Sequence, residues 1–297
     1  MARNIEKDHV TGTDTTGHEW DGIKELNTPL PRWWLWTLYA TIIWAIGYVI
    51  AYPAIPLISS NTKGLLGYSS RADVAAEIAV AREGQKQWLE KISAASLEDI
   101  AKDPGLLQFA RAGGAAAFKV NCVQCHGAGA AGSAGYPNLN DDDWIWGGTL
   151  DQIHTTLVNG VRFAGNDDTR VSEMPPFGGE GGLKPEQIAD AANYVLSLSA
   201  TEGVDATAAA RGKAVYAEQQ CAACHGEDGK GNRELGGPNL TDAIWLYGGE
   251  AKAVMAQISK PRHGVMPAWG GRLDATTIKQ LAVYVHSLGG GEQAAAQ

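Results

Sequence analysis

Residues 118–127 read FKVNCVQCHG and residues 216–226 read YAEQQCAACHG. Each holds Cys-x-x-Cys-His, as Cys122, Cys125 and His126 and again as Cys221, Cys224 and His225, and together they use all four cysteines of the chain. This is the attachment signature of c-type haem. Two thiols three residues apart can add to the vinyl groups on one edge of a porphyrin, and the next residue then lies where an imidazole nitrogen reaches the iron. A single four-cysteine zinc site would not require a histidine after each pair, and here the pairs lie about a hundred residues apart. A dithiol redox motif belongs beside a strand-helix-strand unit, which neither copy shows. Four cysteines in 297 residues are also too few for a disulfide-stapled scaffold.

Outward from these motifs the chain repeats itself. YPNLNDDDWIWGG is answered by GPNLTDAIWLYGG, VSEMPPF by HGVMPAW, and NYVLSLS by VYVHSLG. The pattern predicts two copies of one mainly α-helical domain, over 113–200 and 205–290. Each runs from a short helix through the Cys-His motif, a Pro-Asn-Leu loop, a middle helix and a Met-Pro loop to a closing helix. The first copy has an insertion, RFAGNDDTRVSE, at 162–173. ATEGVDATAAA joins the copies, and GGGEQAAAQ is expected to be a disordered tail.

With His126 and His225 on one face of each iron, the sixth ligand comes from a short set of candidates. Beyond the initiator there are Met174, Met255 and Met266, with His154, His263 and His286. Met174 and Met266 each precede a proline in corresponding loops, and the proline restricts the backbone that presents the thioether. Met255, aligned with His154 on the middle helix, reads as core. His286 reads as a packed or surface residue, and His263, three residues before Met266, is the rival ligand. Each methionine can close the haem of its own repeat or, across a tight interface, that of the other. His-Met coordination leaves no open position for a substrate and raises the reduction potential, so the centres should pass electrons one at a time. Trp144, Trp146, Trp245, Tyr247, Phe177 and Trp269 are expected to wall the pockets. Tyr194 and Tyr284 are expected to pack closing helices on opening ones. Arg162 and Arg262 are either propionate partners or solvated side chains.

Upstream, WWLWTLYATIIWAIGYVIAY starts at Trp33 and supplies 20 uncharged residues, enough at ~1.5 Å per residue to cross a bilayer core. A transmembrane helix is predicted over 33–56, with Trp33, Trp34 and Trp36 at one interface, Tyr48 and Tyr52 at the other, and Pro53 and Pro56 ending it. Residues 1–32 precede the anchor. Residues 57–112 read as a helical linker of balanced charge, a solvated connector, in which Ser96 and Asp99 cap a second helix and Asp103-Pro104-Gly105 marks a turn. The net charge of -9 argues against a nucleic-acid partner.

Residues 113–290 resemble class I cytochromes c in tandem, on the attachment motifs, the Pro-Asn-Leu loops and the Met-Pro loops. The front of the chain narrows the resemblance. HEWDGIKELNTPLPRWW, from His18 to Trp34, entering one membrane helix and followed by a linker and two haem domains, is similar to the dihaem subunit III of cbb3-type cytochrome c oxidases. The resemblance implies a non-catalytic electron-transfer subunit carrying two covalently bound haem c groups. Cys122, Cys125 and His126 would hold one and Cys221, Cys224 and His225 the other, with Met174 and Met266 completing the coordination. It implies a donor cytochrome c, a monohaem cytochrome subunit, a catalytic oxygen-reducing subunit and membrane lipid as partners. It places residues 1–32 in the cytoplasm, the anchor in the bacterial inner membrane and the haem domains in the periplasm. The alternatives are an anchored dihaem shuttle or a cytochrome subunit of a periplasmic dehydrogenase, and a dihaem peroxidase, against which the two Met-Pro loops count.

Overall fold

The structure, a computed structural model, describes residues 5–293 and divides into two compact units, 1–82 and 83–297. The first opens with a β-hairpin, β1 Thr15–Trp20 and β2 Ile23–Leu26. Asp21 and Gly22 turn it with φ of 49° and 84°, the left-handed pair a two-residue hairpin turn requires. Nothing in the membrane pattern signals this hairpin; the Asp-Gly dipeptide between Trp20 and Ile23 does. Helix α1, Arg32–Ala51, has no buried residue, and its exposed Trp33, Trp34 and Trp36 suit a surface that lipid covers. Pro53 follows its C-cap Tyr52, where the chain turns extended.

Helix α2, Ser70–Ala94, ends in buried packing. Ile92 is fully enclosed, and Trp88 stacks on Phe109 with centroids 5.7 Å apart. Lys279 caps its last turn, its Nζ donating to the carbonyls of Ile92, Ser93 and Ala95 at 3.3, 2.9 and 2.7 Å. The linker is thus solvated along its earlier turns and packed on one side along its later ones, where Ile92, Leu97 and Ile100 are buried. Ser96 caps α3, Leu97–Lys102, accepting from the Asp99 amide at 3.1 Å. Asp103-Pro104-Gly105 opens a helix instead of making a free turn: Asp103 accepts from Gly105 and Leu106, and Pro104 takes the first position of α4, Pro104–Asn121.

The first repeat continues with α5 Val123–His126, α6 Leu150–Asn159 and α7 Pro185–Leu198. The second follows with α8 Ala206–Glu218, α9 Ala222–His225, α10 Ala251–Ser259 and α11 Ala275–His286. Thr149 and Gln152 form a capping box on α6, while Asp205 and Asp274 cap α8 and α11. Helix α8 therefore takes in the last residues of the alanine-rich join.

Packing exchanges the closing helices between the copies. Helix α7 packs on α8, which opens the second repeat, and α11 packs on α4 and α6 of the first. Tyr194 meets Tyr216 edge-on at 5.2 Å, and Tyr284 tilts against Phe118 at 5.4 Å. Two cores result. One gathers Leu106, Ala110, Phe118, Ile153 and Leu157 with Ile278 and Leu281 of α11. The other gathers Ile188, Ala192 and Val195 of α7 with Val215, Val254 and Ile258 of the second repeat. The tail is ordered through Glu292, whose carboxylate pairs with Arg233 and accepts from the Gly148 amide. Residues 294–297 lie outside the described residues.

Candidate haem sites

Each Cys-His motif forms a single helical turn at the end of its opening helix, α4 or α8, and stops at a glycine of positive φ, Gly127 or Gly226. His126 Nδ1 lies 3.1 Å from the Pro137 carbonyl and His225 Nδ1 3.1 Å from the Pro238 carbonyl. A carbonyl only accepts, so each Nδ1 carries the proton and each Nε2 keeps its lone pair. Burial holds both imidazoles below their usual pKa, favouring the neutral form that binds metal. The Pro-Asn-Leu loops therefore fix the tautomer as well as the direction of the ring.

All four thiols are free. Burial pushes the Cys122 thiol up to about 11 and raises that of Cys221 as well. A working dithiol redox centre needs the opposite shift. Among the described residues no three His, Cys, Asp or Glu side chains converge on one point. The donor set of each site, two thiols beside an imidazole with Nε2 free, fits a covalently attached haem.

The two methionines lie across the repeats. Met266 packs against the core that contains Phe118 and Cys122, and Met174 against the core of α8 and α10. Matching hydrogen bonds hold the crossing. The Trp269 amide, three residues after Met266, donates to Leu157 at 2.9 Å; the Phe177 amide, three after Met174, donates to Ile258 at 3.2 Å. Val161 and Met266 exchange both backbone bonds, at 2.9 and 3.0 Å, and a side chain at Gly160 would strike the Met266 carbonyl. Met255 belongs to the second core, and His286 Nε2 meets the Glu292 carbonyl at 2.8 Å. His263 is exposed.

Trp144 and Trp269 border the first core, and Trp245 and Phe177 the second. Trp146 and Tyr247 instead reach across the repeats, Trp146 against Gly236 and Tyr247 against Gly135. An arginine covers each: Arg170 lies 5.2 Å from the Trp146 centroid and Arg262 4.6 Å from that of Tyr247. Arg170 and Arg262 both stand four residues before their methionine. Counting back from Met-Pro pairs these two; counting forward from the end of the middle helix pairs Arg162 with Arg262 instead. Among the described residues Arg170 Nε is buried without a hydrogen-bond partner.

The class follows from this arrangement and from matches to known families. Residues 112–199 match the cytochrome c family, and residues 207–285 the subunit III family of cbb3-type cytochrome c oxidase. Residues 12–59 match the N-terminal domain of FixP of the cbb3 oxidase. Both repeats are cytochrome c domains, and covalently bound c-type haem is their cofactor.

The relatives narrow this further. The chain is 58% identical over 285 residues to the cbb3-type cytochrome c oxidase subunit FixP of Rhizobium meliloti, covering 96% of this chain and 97% of that one. It is 58% identical over 292 residues to FixP of Bradyrhizobium diazoefficiens, covering 98% and 100%. It is 54% identical over 278 residues to subunit CcoP of Cereibacter sphaeroides, covering 94% and 95%. The chain belongs to the FixP/CcoP family of cbb3-type cytochrome c oxidase subunits, and α1 is its candidate membrane anchor.

Proposed function

We propose that this chain is the non-catalytic dihaem subunit of a cbb3-type oxidase. It takes single electrons from a donor cytochrome c, passes them between its two haems and delivers them to a monohaem partner subunit that feeds the oxygen-reducing one. The haem domains lie in the periplasm, behind an anchor in the inner membrane. Each haem supplies one Fe(III)/Fe(II) couple. The two cysteines of each motif would hold the ring by thioethers, a proline carbonyl fixes the tautomer of the histidine that would bind the iron, and a methionine would complete the coordination and so keep oxygen and peroxide off.

The crossing of the Met-Pro loops carries the ligand assignment. Cys122, Cys125 and His126 hold the first haem, and Met266 of the second repeat closes it. Cys221, Cys224 and His225 hold the second, and Met174 of the first repeat closes that. In support, Met266 shares a core with Cys122, and Met174 shares one with Val215, six residues before Cys221. Each centre then needs both repeats folded.

A tagged haem tests the assignment. Cys122→Ala leaves the first haem one thioether and one intact vinyl, which moves its α band to longer wavelength and distinguishes it from the second. In that background Met266→His should lower the tagged haem's potential, because imidazole favours ferric iron more than a thioether does. Met174→His should lower that of the untagged haem. The reverse pairing would mean that each methionine serves its own repeat, and no change with either would return the role to His263.

A further inference from the structure

Arg162 heads the insertion of the first repeat and occupies the left-handed region, φ 51°, which disfavours a residue with a side chain. Its guanidinium forks between the two Met-Pro loops. Nε donates to the Gly264 carbonyl at 2.6 Å and Nη1 to the Ser172 carbonyl at 3.0 Å. Gly264 is two residues before Met266, and Ser172 is two residues before Met174. The side chain is half-buried, and among the described residues it joins no ion pair with a carboxylate, so its charge strengthens two main-chain bonds.

The two loops differ in what else holds them. On the Met266 side, Val161 pairs with the methionine backbone in both directions. Counted from the end of the middle helix, the residue matching Val161 in the second repeat is Pro261, which has no N–H to give. Among the described residues the corresponding bridge to Met174 is missing. After the methionines the loops are tied alike, through Phe177 and Trp269. The difference is confined to the approach to each methionine, where Arg162 acts.

We propose that Arg162 is a positioning residue for both sixth ligands, a single clasp across the crossed loops on which Met174 depends more than Met266. The insertion has a task on this view: it carries one cation to the place where the repeats' symmetry fails. The proposal rests on the crossed ligation above.

The test uses the full-length protein in membranes, in the Cys122→Ala background that tags the first haem. Arg162→Ala should leave both haems covalently attached, as read by in-gel haem staining. It should weaken or abolish the thioether-to-ferric-iron charge-transfer band of the haem that Met174 serves and lower its potential, with a smaller shift at the other. Arg162→Lys should restore part of the band, since an ammonium keeps the charge and can reach a carbonyl but lacks the rigid planar fork whose Nε and Nη1 meet the two loops from fixed positions. Arg162→Gln, which keeps most of the stem and loses the fork, should fall between the alanine variant and the wild type, and it stands in for alanine where that protein does not accumulate. Unchanged bands and potentials in the Ala and Gln variants would overturn the clasp, as would a loss confined to the haem that Met266 serves. The histidine substitutions at Met174 and Met266 identify those haems without touching Arg162, so failure of the crossed ligation and failure of the clasp give different results.

Discussion

The helix crossing of α4 with α11 and that of α8 with α7 solve one problem with different side chains. At both, an opening helix presents a glycine to the backbone of a closing helix and an aromatic ring covers the contact. A side chain on Gly114 would collide with the Gln280 carbonyl and the Tyr284 Cβ; one on Gly212 would collide with the Asp190 carbonyl and the Tyr194 Cβ. Beside the glycine the crossings diverge. The second joins Arg211 to Asp190, Nε to Oδ2 at 2.8 Å and Nη2 to Oδ1 at 2.6 Å. The first has Gly113 in the arginine's place, and the carboxamide of buried Gln280 lies in the room it leaves. Close approach is thus common to both crossings, while polar recognition is particular to each.

Close approach should carry the larger energy. Gly114→Ala and Gly212→Ala each gain helix propensity of about 1 kcal/mol. Each also forces two backbones apart, which costs up to ~3 kcal/mol in a packed contact. A net loss of about 2 kcal/mol is expected from either, read by denaturant unfolding of the haem-loaded protein. A variant as stable as the wild type would show that the helices slide past each other freely. A loss at one glycine alone would mean that the two crossings are not equivalent.

That divergence also marks what the sequence carried. The attachment motifs, the repeat, the apolar run of α1 and the Ser96 cap were legible because each is local, a matter of spacing within a few residues. Which opening helix each closing helix meets is not local. The two copies are alike enough for α7 to fit α4 or α8 by its apolar face, so periodicity is silent on the exchange. The polar positions speak to it. Paired within its own repeat, Asp190 would face Gly113 and be buried without a partner, and Arg211 would face Gln280. The exchange alone gives Asp190 its arginine. The few residues between Leu198 and Ala206 point the same way, since a short connection makes consecutive helices neighbours. Arg162 stands out in the sequence as a propionate partner or a solvated side chain, but its bonds to the two Met-Pro loops were not legible, because their acceptors are carbonyls, which no side-chain pattern reveals. The β-hairpin was not legible from the apolar run of α1; its signal is local to the Asp21-Gly22 turn.

The polar difference should matter less than the glycines. Asp190 is buried, and the Arg211 side chain is 59% exposed, so solvent screens much of their attraction. Arg211→Ala removes the partner of a buried carboxylate and should destabilise less than either glycine substitution, and less again in high salt. Gln280→Glu at the other crossing puts a buried carboxylate opposite Gly113 with no arginine to meet it, and should cost more than Arg211→Ala. Adding Gly113→Arg to it should restore only part of the loss, because a Cβ at 113 meets the end of the side chain at 280, which must shift to make room. Full rescue by that pair would mean the two crossings are interchangeable.

The loops before the two middle helices differ in the charge next to their first tryptophan, and the smallest effect is expected there. Asp143 precedes Trp144 where Ile244 precedes Trp245. Burial first, then the charges of Asp242, Asp141 and Asp142, raise its pKa to about 6 against the partial relief of Arg233. A carboxyl whose folded pKa lies above its unfolded value keeps its proton longer in the folded state. Between about pH 4 and pH 6 the folded protein therefore binds more protons than the unfolded one, and stability falls as pH rises through that window. Above it the full cost persists. Asp143→Asn keeps the shape and removes the charge, so it should stabilise the protein above pH 6 and have little effect below pH 4. Ile244→Asn, in the matching place of the second repeat, should give no gain that grows with pH. Chemical unfolding of the three proteins across that range decides it. A gain from Asp143→Asn that is equal at both ends of the range would place its origin in packing, and the loops would then differ in shape instead of charge.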